Sequence, residues 1–443
     1  MEIITNTSKL VKPATPTPSN LRNYNVSFFD EQMPNMNVPL ILYYSTSESD
    51  VHVNIFNHLE TSLAKTLTDF YPLAGRYMRD GSFIDCSDQG ALYVQATANF
   101  QLSEFLGLAW ELKFSMLRDL LPCEIAEAGE VDDPMLNIKV TTFECGGFAI
   151  GMCSSHKISD MSTTCTFINN WATRSQASSN NALELENYYP IFTVPRDFPK
   201  RELNDLTPRL PRISIVTNTP ARIFLFKGNA ISKLREKVIF KDNKGHRPSK
   251  VQLVLALLWK TFVGIDKANN NGQSKASFVS QGVNLRNKAV PKLPDNLCGN
   301  FVGVAVAQTD TCEGDNIDLQ GFYMILHDSL KKYDSNYAKA LTSGEYDVLM
   351  KSFLEYSQNI MNSDVNFYGV TSWCKFSFNK ADFGWGKPVW KSTGQFAAQN
   401  FVVMMDDQEG DGIEAWVHFD EKRMGQFEQD LDIKAYAIYT PSQ

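Results

Sequence analysis

The sequence predicts a mixed α/β protein built from two domains of similar size. Its 443 residues exceed what a single hydrophobic core usually supports. Short apolar runs of strand length alternate irregularly with segments of helical period in both halves, which is typical of layered α/β and α+β folds. A proline-bearing stretch without periodicity separates the halves,. We therefore predict an N-terminal domain at 1–190, a crossover linker at 191–221 and a C-terminal domain at 222–443.

The first half contains several clear secondary-structure signals after an extended, proline-bearing opening. Residues 38–44 are almost wholly aliphatic or aromatic and predict a strand,. Apolar side chains recur at helical spacing across 55–70, and Pro72 ends that helix,. Shorter strands are predicted at 83–84, 91–96, 136–143 and 148–155. Helical spacing resumes after Asp160, so this residue is predicted to begin a helix,.

The second half shows the same irregular alternation. A helix is predicted near 229–239. A longer, more apolar helix begins around Pro248 and Ser249 and runs through Trp259,. Strands are predicted at 222–226, 276–284, 301–307, 367–373, 401–405 and 413–419. The two halves are therefore expected to be similar layered units.

Charge and composition exclude several classes of function. The formal net charge of -8 argues against nucleic acid or an anionic membrane as a partner, because both require concentrated lysine and arginine. The longest apolar run, 251–259, is far shorter than the ~20 residues that span a bilayer. No secretory signal is visible at the start, so we expect a monomeric cytoplasmic protein. The 8 cysteines are scattered without zinc-ligand spacing, and we expect no metal.

A histidine at the end of an apolar run is the first chemical signal. His156 follows the predicted strand at 148–155, and Asp160 lies four residues further on. Such a histidine can act as a general base, because imidazole titrates near neutral pH. The spacing of the pair is common by chance, so a functional interpretation requires a second signal.

The second signal is the string Asp-Phe-Gly-Trp-Gly at residues 382–386. Its glycines predict a tight turn that buries the indole and lets the carboxylate accept backbone or arginine hydrogen bonds. Together with His156 and Asp160, in this order, the string resembles the plant BAHD acyltransferase family. Other segments agree over nearly the whole chain: 17–18, 27–30, 70–76, 283–286, 299–300 and 371–373. Residues 12–18 and 372–374 are most similar to the alkaloid acetyltransferase branch, which includes vinorine synthase.

The resemblance implies a reaction and an architecture. The fold would consist of two domains of the chloramphenicol-acetyltransferase-like type with a solvent channel between them. The reaction would move an acetyl group from acetyl-CoA to a hydroxyl of a small specialised metabolite, an alkaloid in the leading interpretation, with no permanently bound cofactor. Transfer of a malonyl or other short acyl group, and acylation of an amine, remain open. A protein of this fold that only binds a small molecule is the alternative from another class.

The resemblance also assigns roles to individual residues. His156 would be the base, and the acyl group would pass directly to the acceptor without an acyl-enzyme. Asp160 would pair with Arg286 and brace the loop that carries the histidine. The indole of Trp373, with Thr371 beside it, would stabilise the negative oxygen of the tetrahedral intermediate. Asp382 is grouped with the active site in this family, although the turn formed with Gly384 and Gly386 indicates a structural role.

The cofactor contacts are the weakest part of the resemblance. Ser249 and Lys250, at the start of the long apolar helix, match the position that contacts CoA phosphates, which favour cations and helix N-termini. A helix N-cap and a surface amine are the competing interpretation of this pair. Two residues after Trp373, the arginine common in relatives is replaced by Lys375. A lysine cannot make the planar two-pronged contact of an arginine.

Overall fold

The computed structural model describes residues 1–46, 54–78, 83–125, 132–176, 188–192, 219–239, 247–309, 317–343, 354–355, 358, 362, 364–396 and 398–439. The first half contains the strands β1 (Ile3–Val11), β2 (Asn23–Asn25), β3 (Asn37–Tyr44), β4 (Arg76–Met78), β5 (Phe83–Asp85), β6 (Ala91–Ala98), β7 (Leu136–Thr142) and β8 (Phe148–Ser155). Its helices are α1 (Phe28–Gln32), α2 (Ile55–Asp69), α3 (Leu102–Gly107), α4 (Trp110–Met116) and α5 (Met161–Ser175).

The second half contains the strands β9 (Ala221–Phe226), β10 (Ser277–Asn284), β11 (Val302–Thr309), β12 (Asn366–Ser372), β13 (Trp390–Ser392), β14 (Phe401–Asp406), β15 (Ile413–His418) and β16 (Ile438–Tyr439). Its helices are α6 (Gly228–Lys237), α7 (Lys250–Asn269), α8 (Leu319–Ser343), α9 (Glu421–Gln429) and α10 (Leu431–Tyr436). None of the helices in these described ranges is both long and apolar enough to cross a membrane.

Two large mixed sheets organise the two halves. The first has six strands in the order β1-β6-β7-β8-β3-β13, and the second has seven in the order β11-β10-β12-β14-β15-β9-β16. Strands β2, β5 and β4 form a small third sheet. Parallel and antiparallel pairs occur in both large sheets, so the predicted mixed α/β class with two sheet-rich domains is confirmed.

The second sheet has two different faces. Residues such as Val402 and Val417 belong to an apolar cluster with the buried helix α7. On the opposite face, Val403 and Trp416 belong to the core cluster of the first half. Because side chains alternate along a strand, His418 lies on this second face with Trp416. The face that meets the first half therefore lies between the two domains.

Strand β13 crosses from the second half into the first sheet. Trp390 pairs with Tyr43, and Ser392 pairs with Ile41, in an antiparallel ladder with β3. The apolar core around the first sheet accordingly includes Trp373. The predicted domain boundaries stay a prediction, since most of the expected linker, 193–218, lies outside the described residues.

Most predicted elements agree with the structure to within one or two residues. The predicted start of a helix at Asp160 is confirmed, because its side chain caps α5. The sequence predicts neither the strand β1 nor the helix α8. Seven consecutive residues of β1, from 4 to 10, are exposed, so the strand lacks the inside-outside alternation on which prediction depends. Helix α7 extends to Asn269, ten residues beyond Trp259, because Phe262, Val263 and Ile265 continue its buried apolar face,.

Candidate active site

His156 lies on a short turn between β8 and α5. Its backbone N–H donates to the carbonyl of Met36 at 2.9 Å, next to the start of β3. The turn ends at Asp160, whose side chain accepts from the N–H of Thr163 at 2.8 Å and caps α5. Both ends of the histidine loop are thus tied to regular structure, and His156 is partly buried between them.

Asp160 forms a buried two-pronged ion pair with Arg286. The guanidinium Nη1 donates to Oδ2 at 2.6 Å and Nη2 to Oδ1 at 3.1 Å. The N–H of Phe301 also donates to Oδ2 at 3.1 Å. Burial alone would raise the pKa of Asp160, but the Arg286 charge and these hydrogen bonds outweigh it, so the pKa lies below its ordinary value,. The ion pair expected from the resemblance is therefore present, and its donors occupy both carboxylate oxygens.

Asn300 contacts the imidazole directly. Its Oδ1 lies 3.0 Å from Nδ1 of His156. Its Nδ2 donates to the backbone carbonyl of His156 and to Asp30 Oδ1, each at 2.7 Å. Because the amide NH₂ already faces two acceptors, Oδ1 must face the ring, and Nδ1 of His156 must carry the proton. The unprotonated Nε2 is then the nitrogen that can accept a proton.

Asp30 supports Asn300 from the buried end of α1. Its Oδ1 also accepts from the backbone N–H of Asn300 at 2.7 Å, and its Oδ2 accepts from Ser27. Asp30 and Asn300 are fully buried. Both residues lie in segments that resemble the family, but neither has a predicted role. Asp30 and Asn300 are 126 and 144 residues from His156 in the chain, and no local pattern joins them to it.

The electrostatic environment keeps His156 neutral. Burial lowers the pKa of the imidazole below its ordinary value, and the Asp160 charge and the Asn300 hydrogen bond offset only part of this effect,. A neutral imidazole with a fixed tautomer can remove a proton from an approaching hydroxyl or amine. The arrangement therefore has the chemistry of a prepared general base.

Trp373 and Thr371 lie on the face of the second sheet that meets the first half. Thr371 pairs with Val403 in the parallel ladder of β12 and β14. Trp373 follows β12 directly, is 5 % exposed, and packs edge-on against Phe396 at 6.3 Å. Strands β10 and β12 run parallel, so Trp373 and the Arg286 segment both follow the carboxyl ends of neighbouring strands. The topology thus brings the tryptophan to the end of the sheet where Arg286 holds the histidine loop.

The Asp382 turn lies at the other end of α5. The carboxylate accepts from the N–H groups of Gly384 and Gly386 at 2.8 and 2.9 Å, and both glycines have positive φ angles. The backbone of the turn is bound by Ser175 and Gln176. Helix α5 has 15 residues, so its ends lie about 22 Å apart. A direct catalytic role for Asp382 does not fit this placement, whereas the predicted structural role does.

The buried aromatic ring of the turn is not the predicted one. Phe383 is fully buried and packs edge-on against Trp171 and Tyr44. Trp385 is only half-buried and contacts His58 at the surface of α2. The turn inverts the expected order because the two glycines give it the backbone freedom to direct the phenyl ring, and not the indole, into the core.

Ser249 and Lys250 begin α7, as predicted. The Ser249 hydroxyl caps the helix by accepting from the N–H of Gln252 at 3.2 Å. The Lys250 ammonium lies 2.7 Å from Asp406 Oδ1 and donates to the carbonyls of Gly410 and Gly412 at 2.8 and 3.0 Å. These three acceptors match the three donors of an ammonium. A phosphate contact from Lys250 stays a prediction and would require one of these partners to be exchanged.

Next to Lys250 lies a small cavity of about 70 Å³, lined by residues that include Trp373, Trp390, Lys391 and Asp406. The backbone N–H of Lys375 donates to Asp406 Oδ2 at 2.6 Å, while the Lys375 residue is exposed with a φ of 71°. This left-handed conformation is uncommon for a lysine.

Two cysteines near these strands and loops carry unreactive thiols. Burial raises the pKa of Cys298 to about 12 and that of Cys374 to about 11, so both are thiols at neutral pH and poor nucleophiles.

On the loop between β14 and β15, one carboxylate oxygen from each of Asp407, Glu409 and Asp411 lies within 4.8 Å of the others. Exposed acidic clusters of this kind are common, and nothing else points to a cation there.

The two-domain α/β fold and the similarity to known enzymes define this protein as an acyltransferase. A family model described as the Transferase family matches residues 1–433. The chain belongs to this family, the BAHD acyltransferases.

Three individual relatives and one solved structure are similar to this chain over nearly its whole length. A limonoid 21-O-acetyltransferase from Melia azedarach is 31% identical over 443 residues and covers 100% of both chains. Vinorine synthase from Rauvolfia serpentina is 33% identical over 433 residues, covering 96% of this chain and 95% of its own. A pelargonidin glucoside malonyltransferase from Salvia splendens is 32% identical over 442 residues, covering 97% and 98%. The crystal structure of vinorine synthase superposes with a TM-score of 0.81 at 29% identity over 100% of this chain and 99% of that one.

Proposed function

We propose that this enzyme transfers an acetyl group from acetyl-CoA to a hydroxyl of a polycyclic specialised metabolite, of alkaloid or terpenoid type. The observation that carries the proposal is the neutral His156, whose protonated Nδ1 is held by Asn300. The limonoid 21-O-acetyltransferase among the relatives supports both the acetyl donor and a limonoid-type alcohol as acceptor. The alkaloid acceptor is supported by the sequence resemblance to the alkaloid acetyltransferase branch.

His156 would act first. The acceptor hydroxyl loses its proton to Nε2 as its oxygen attacks the thioester carbonyl. Asn300 accepts the hydrogen bond from Nδ1–H throughout, so the ring needs no tautomer change as it becomes imidazolium. The same nitrogen then returns the proton to the departing thiolate of CoA. A positioned base of this kind contributes about a hundred- to ten-thousand-fold to the rate.

The tetrahedral intermediate would be stabilised by the indole N–H of Trp373, with Thr371 beside it. A buried donor is effective because the surrounding protein is less polarisable than water. Loss of one such donor costs about a hundred- to a thousand-fold in turnover. A Trp373→Phe variant is therefore expected to lose at least about a hundred-fold in kcat, and wild-type turnover in that variant would remove Trp373 from the mechanism.

No acyl-enzyme would form. The raised thiol pKa values of Cys298 and Cys374 support this, since a thiol is a far weaker nucleophile than a thiolate. Incubation with acetyl-CoA alone should give no burst of free CoA and no mass increase of the intact protein. A stable acetyl adduct on the protein would contradict direct transfer.

The decisive experiment combines several donors with several acceptors. Acetyl-, malonyl- and benzoyl-CoA are incubated with a panel of alkaloid and limonoid alcohols and amines, and both free CoA and the acceptor mass are measured. We expect one acetyl unit on the acceptor for each CoA released, and no product with His156→Ala. Malonyl transfer is the second candidate, because a malonyltransferase is among the similar relatives. Acceptor binding without any CoA release would identify a non-catalytic binding protein.

A further inference from the structure

Two fully buried polar side chains on the inter-domain face have no hydrogen-bond partner in the described part of the chain. They are Trp416, with its Nε1, and His418, with both Nδ1 and Nε2. Both side chains are 0 % exposed. Buried polar groups in native proteins are almost always hydrogen-bonded, so two neighbouring exceptions require an explanation.

The two side chains share one face and one environment. They lie two residues apart on β15, so they point to the same side of the sheet. The ring of His418 lies 6.0 Å from Phe396, 6.4 Å from Phe401 and 6.4 Å from Phe114 of α4. Burial lowers the pKa of His418 to about 3. The imidazole is therefore neutral and offers one donor and one acceptor inside an aromatic wall.

This wall is continuous with the predicted reaction centre. Phe396 contacts both rings, lying 6.3 Å from Trp373 and 6.0 Å from His418. The rings of Trp373 and His418 are thus at most about 12 Å apart, a distance that a fused polycyclic skeleton can span. The register of the sheet agrees, because Thr371 pairs with Val403, and Val403 pairs with Trp416.

We infer that Trp416 and His418 form a recognition site for a second hydroxyl of the acceptor, remote from the hydroxyl that is acylated, on an apolar polycyclic skeleton. Because both side chains are 0 % exposed in the ligand-free structure, the aromatic rings that cover them must move aside when the acceptor binds. The oxygen of its second hydroxyl then accepts from the indole N–H, and the hydrogen is donated to the unprotonated imidazole nitrogen. The aromatic side chains contact the hydrocarbon skeleton. This inference rests on the proposed function, because it names the substrate feature that the same site selects.

The test measures binding in a protein that cannot turn over its ligands. In the His156→Ala background, calorimetric titration compares androstanediol with the matching androstanol, which lacks one hydroxyl. We expect the diol to bind at least about ten-fold more tightly, because a site built to hold a hydroxyl rejects the analogue without it. His418→Phe in the same background should remove this preference while androstanol binds as before.

Control variants separate recognition from packing. Trp416→Phe should reduce the preference for the diol. Trp259→Phe should not, since Trp259 is equally buried but donates to Ser277 behind the sheet. The melting temperature of His418→Phe should equal or exceed that of its parent, because an unpartnered imidazole is replaced by an apolar ring.

Equal affinity of the parent for the two steroids, or a preference unchanged in His418→Phe, would overturn the inference. A lower melting temperature with equal loss of affinity for both steroids would also overturn it, because His418 would then be a packing residue. Failure of the proposed function has a separate signature. Wild-type protein would transfer no acyl group to any alcohol, and the binding comparison would still decide the inference.

Discussion

The two ends of helix α5 carry the two motifs that identify this enzyme, and they differ in what their carboxylates do. At the amino end, Asp160 is fully buried and ion-paired with Arg286 beside the His156 loop. At the carboxyl end, the half-buried Asp382 carboxylate accepts hydrogen bonds, within the described part of the chain, from the N–H groups of its own turn alone. The helix holds them about 22 Å apart. A recurrent motif can therefore belong to the chemistry or to the scaffold, and contacts distinguish the two.

The largest loss of activity is expected from a substitution at the amino end of α5. His156→Ala should reduce kcat by about a hundred- to ten-thousand-fold, because alanine has no group that can accept the proton of the acceptor hydroxyl. The melting temperature should change little, since His156 is only partly buried and lies on a turn outside the hydrophobic core. His58→Ala is the matched control, because His58 hydrogen-bonds Ser175 at the other end of α5. Steady-state CoA release measures both, and normal turnover in His156→Ala would contradict a base at this end.

Asp160→Ala should cause the next largest loss of activity, because it disrupts the structure that holds the histidine loop. Removing one partner of a buried ion pair leaves Arg286 uncompensated and costs about 3–5 kcal/mol of unfolding free energy. Activity should fall with the geometry of the histidine loop. Asp266→Ala is the control, since it breaks the largely buried pair with Arg423 behind the second sheet, and it should lower stability without lowering kcat of the folded fraction. An inactive Asp160→Ala protein with an unchanged melting temperature and structure would indicate a direct catalytic role.

Asn300→Ala should change the pH profile as well as the rate. Burial lowers the pKa of His156, and the Asn300 hydrogen bond opposes that effect, so its loss should lower the pKa further. A base is active when unprotonated, so kcat/KM of the wild type should fall only below the ordinary imidazole pKa near 6.5. In the variant, the acid limb of the pH profile of kcat/KM should lie at a still lower pH. Its kcat should be reduced about ten-fold, because the tautomer of the imidazole is no longer fixed.

Asn170→Ala provides the control for this comparison. Asn170 is equally buried and lies on α5, where it bonds Tyr188 and Arg174. Its loss should affect stability but leave the acid limb in place. An acid limb that stays at the wild-type position in Asn300→Ala would show that Asn300 does not set the state of the imidazole.

The smallest effect on catalysis is expected at the carboxyl end. Asp382→Ala removes two backbone hydrogen bonds and should cost about 1–3 kcal/mol of stability, with kcat at 25 °C within a few-fold of wild type. Thermal unfolding and initial rates measured on the same sample separate the two quantities. A hundred-fold loss of kcat with an unchanged melting temperature would place Asp382 in the chemistry and remove the contrast between the two ends.

The sequence was most informative where function and structure are local. Strand ends and glycine pairs lie within a few residues of His156, Asp160 and Asp382. These local patterns predicted the strand end before His156, the helix start at Asp160 and the tight turn at Asp382. Asn300 was not predicted because its contact with His156 joins residues 144 positions apart. Only the docking of the β10–β11 connection against the histidine loop brings them together.

The contacts on the face between the two domains could not be predicted from the sequence either. His418 lies in a run that predicts a strand, and nothing in that run distinguishes a packed histidine from one that binds a ligand. Its position opposite Phe114 depends on how the second sheet meets α4, which no periodicity encodes. The same is true of β13, whose three residues are too few for a pattern.

The pairing of β13 with β3 has a consequence for biosynthesis. Tyr43 leaves the ribosome long before its partner Trp390, and at about 5–20 residues per second the delay is roughly 20 to 70 s. During that interval the exposed edge of β3 presents unpaired backbone groups to other nascent chains. The first half can therefore complete its sheet only near the end of synthesis, and a gene divided between the two halves would yield a fragment with an open edge.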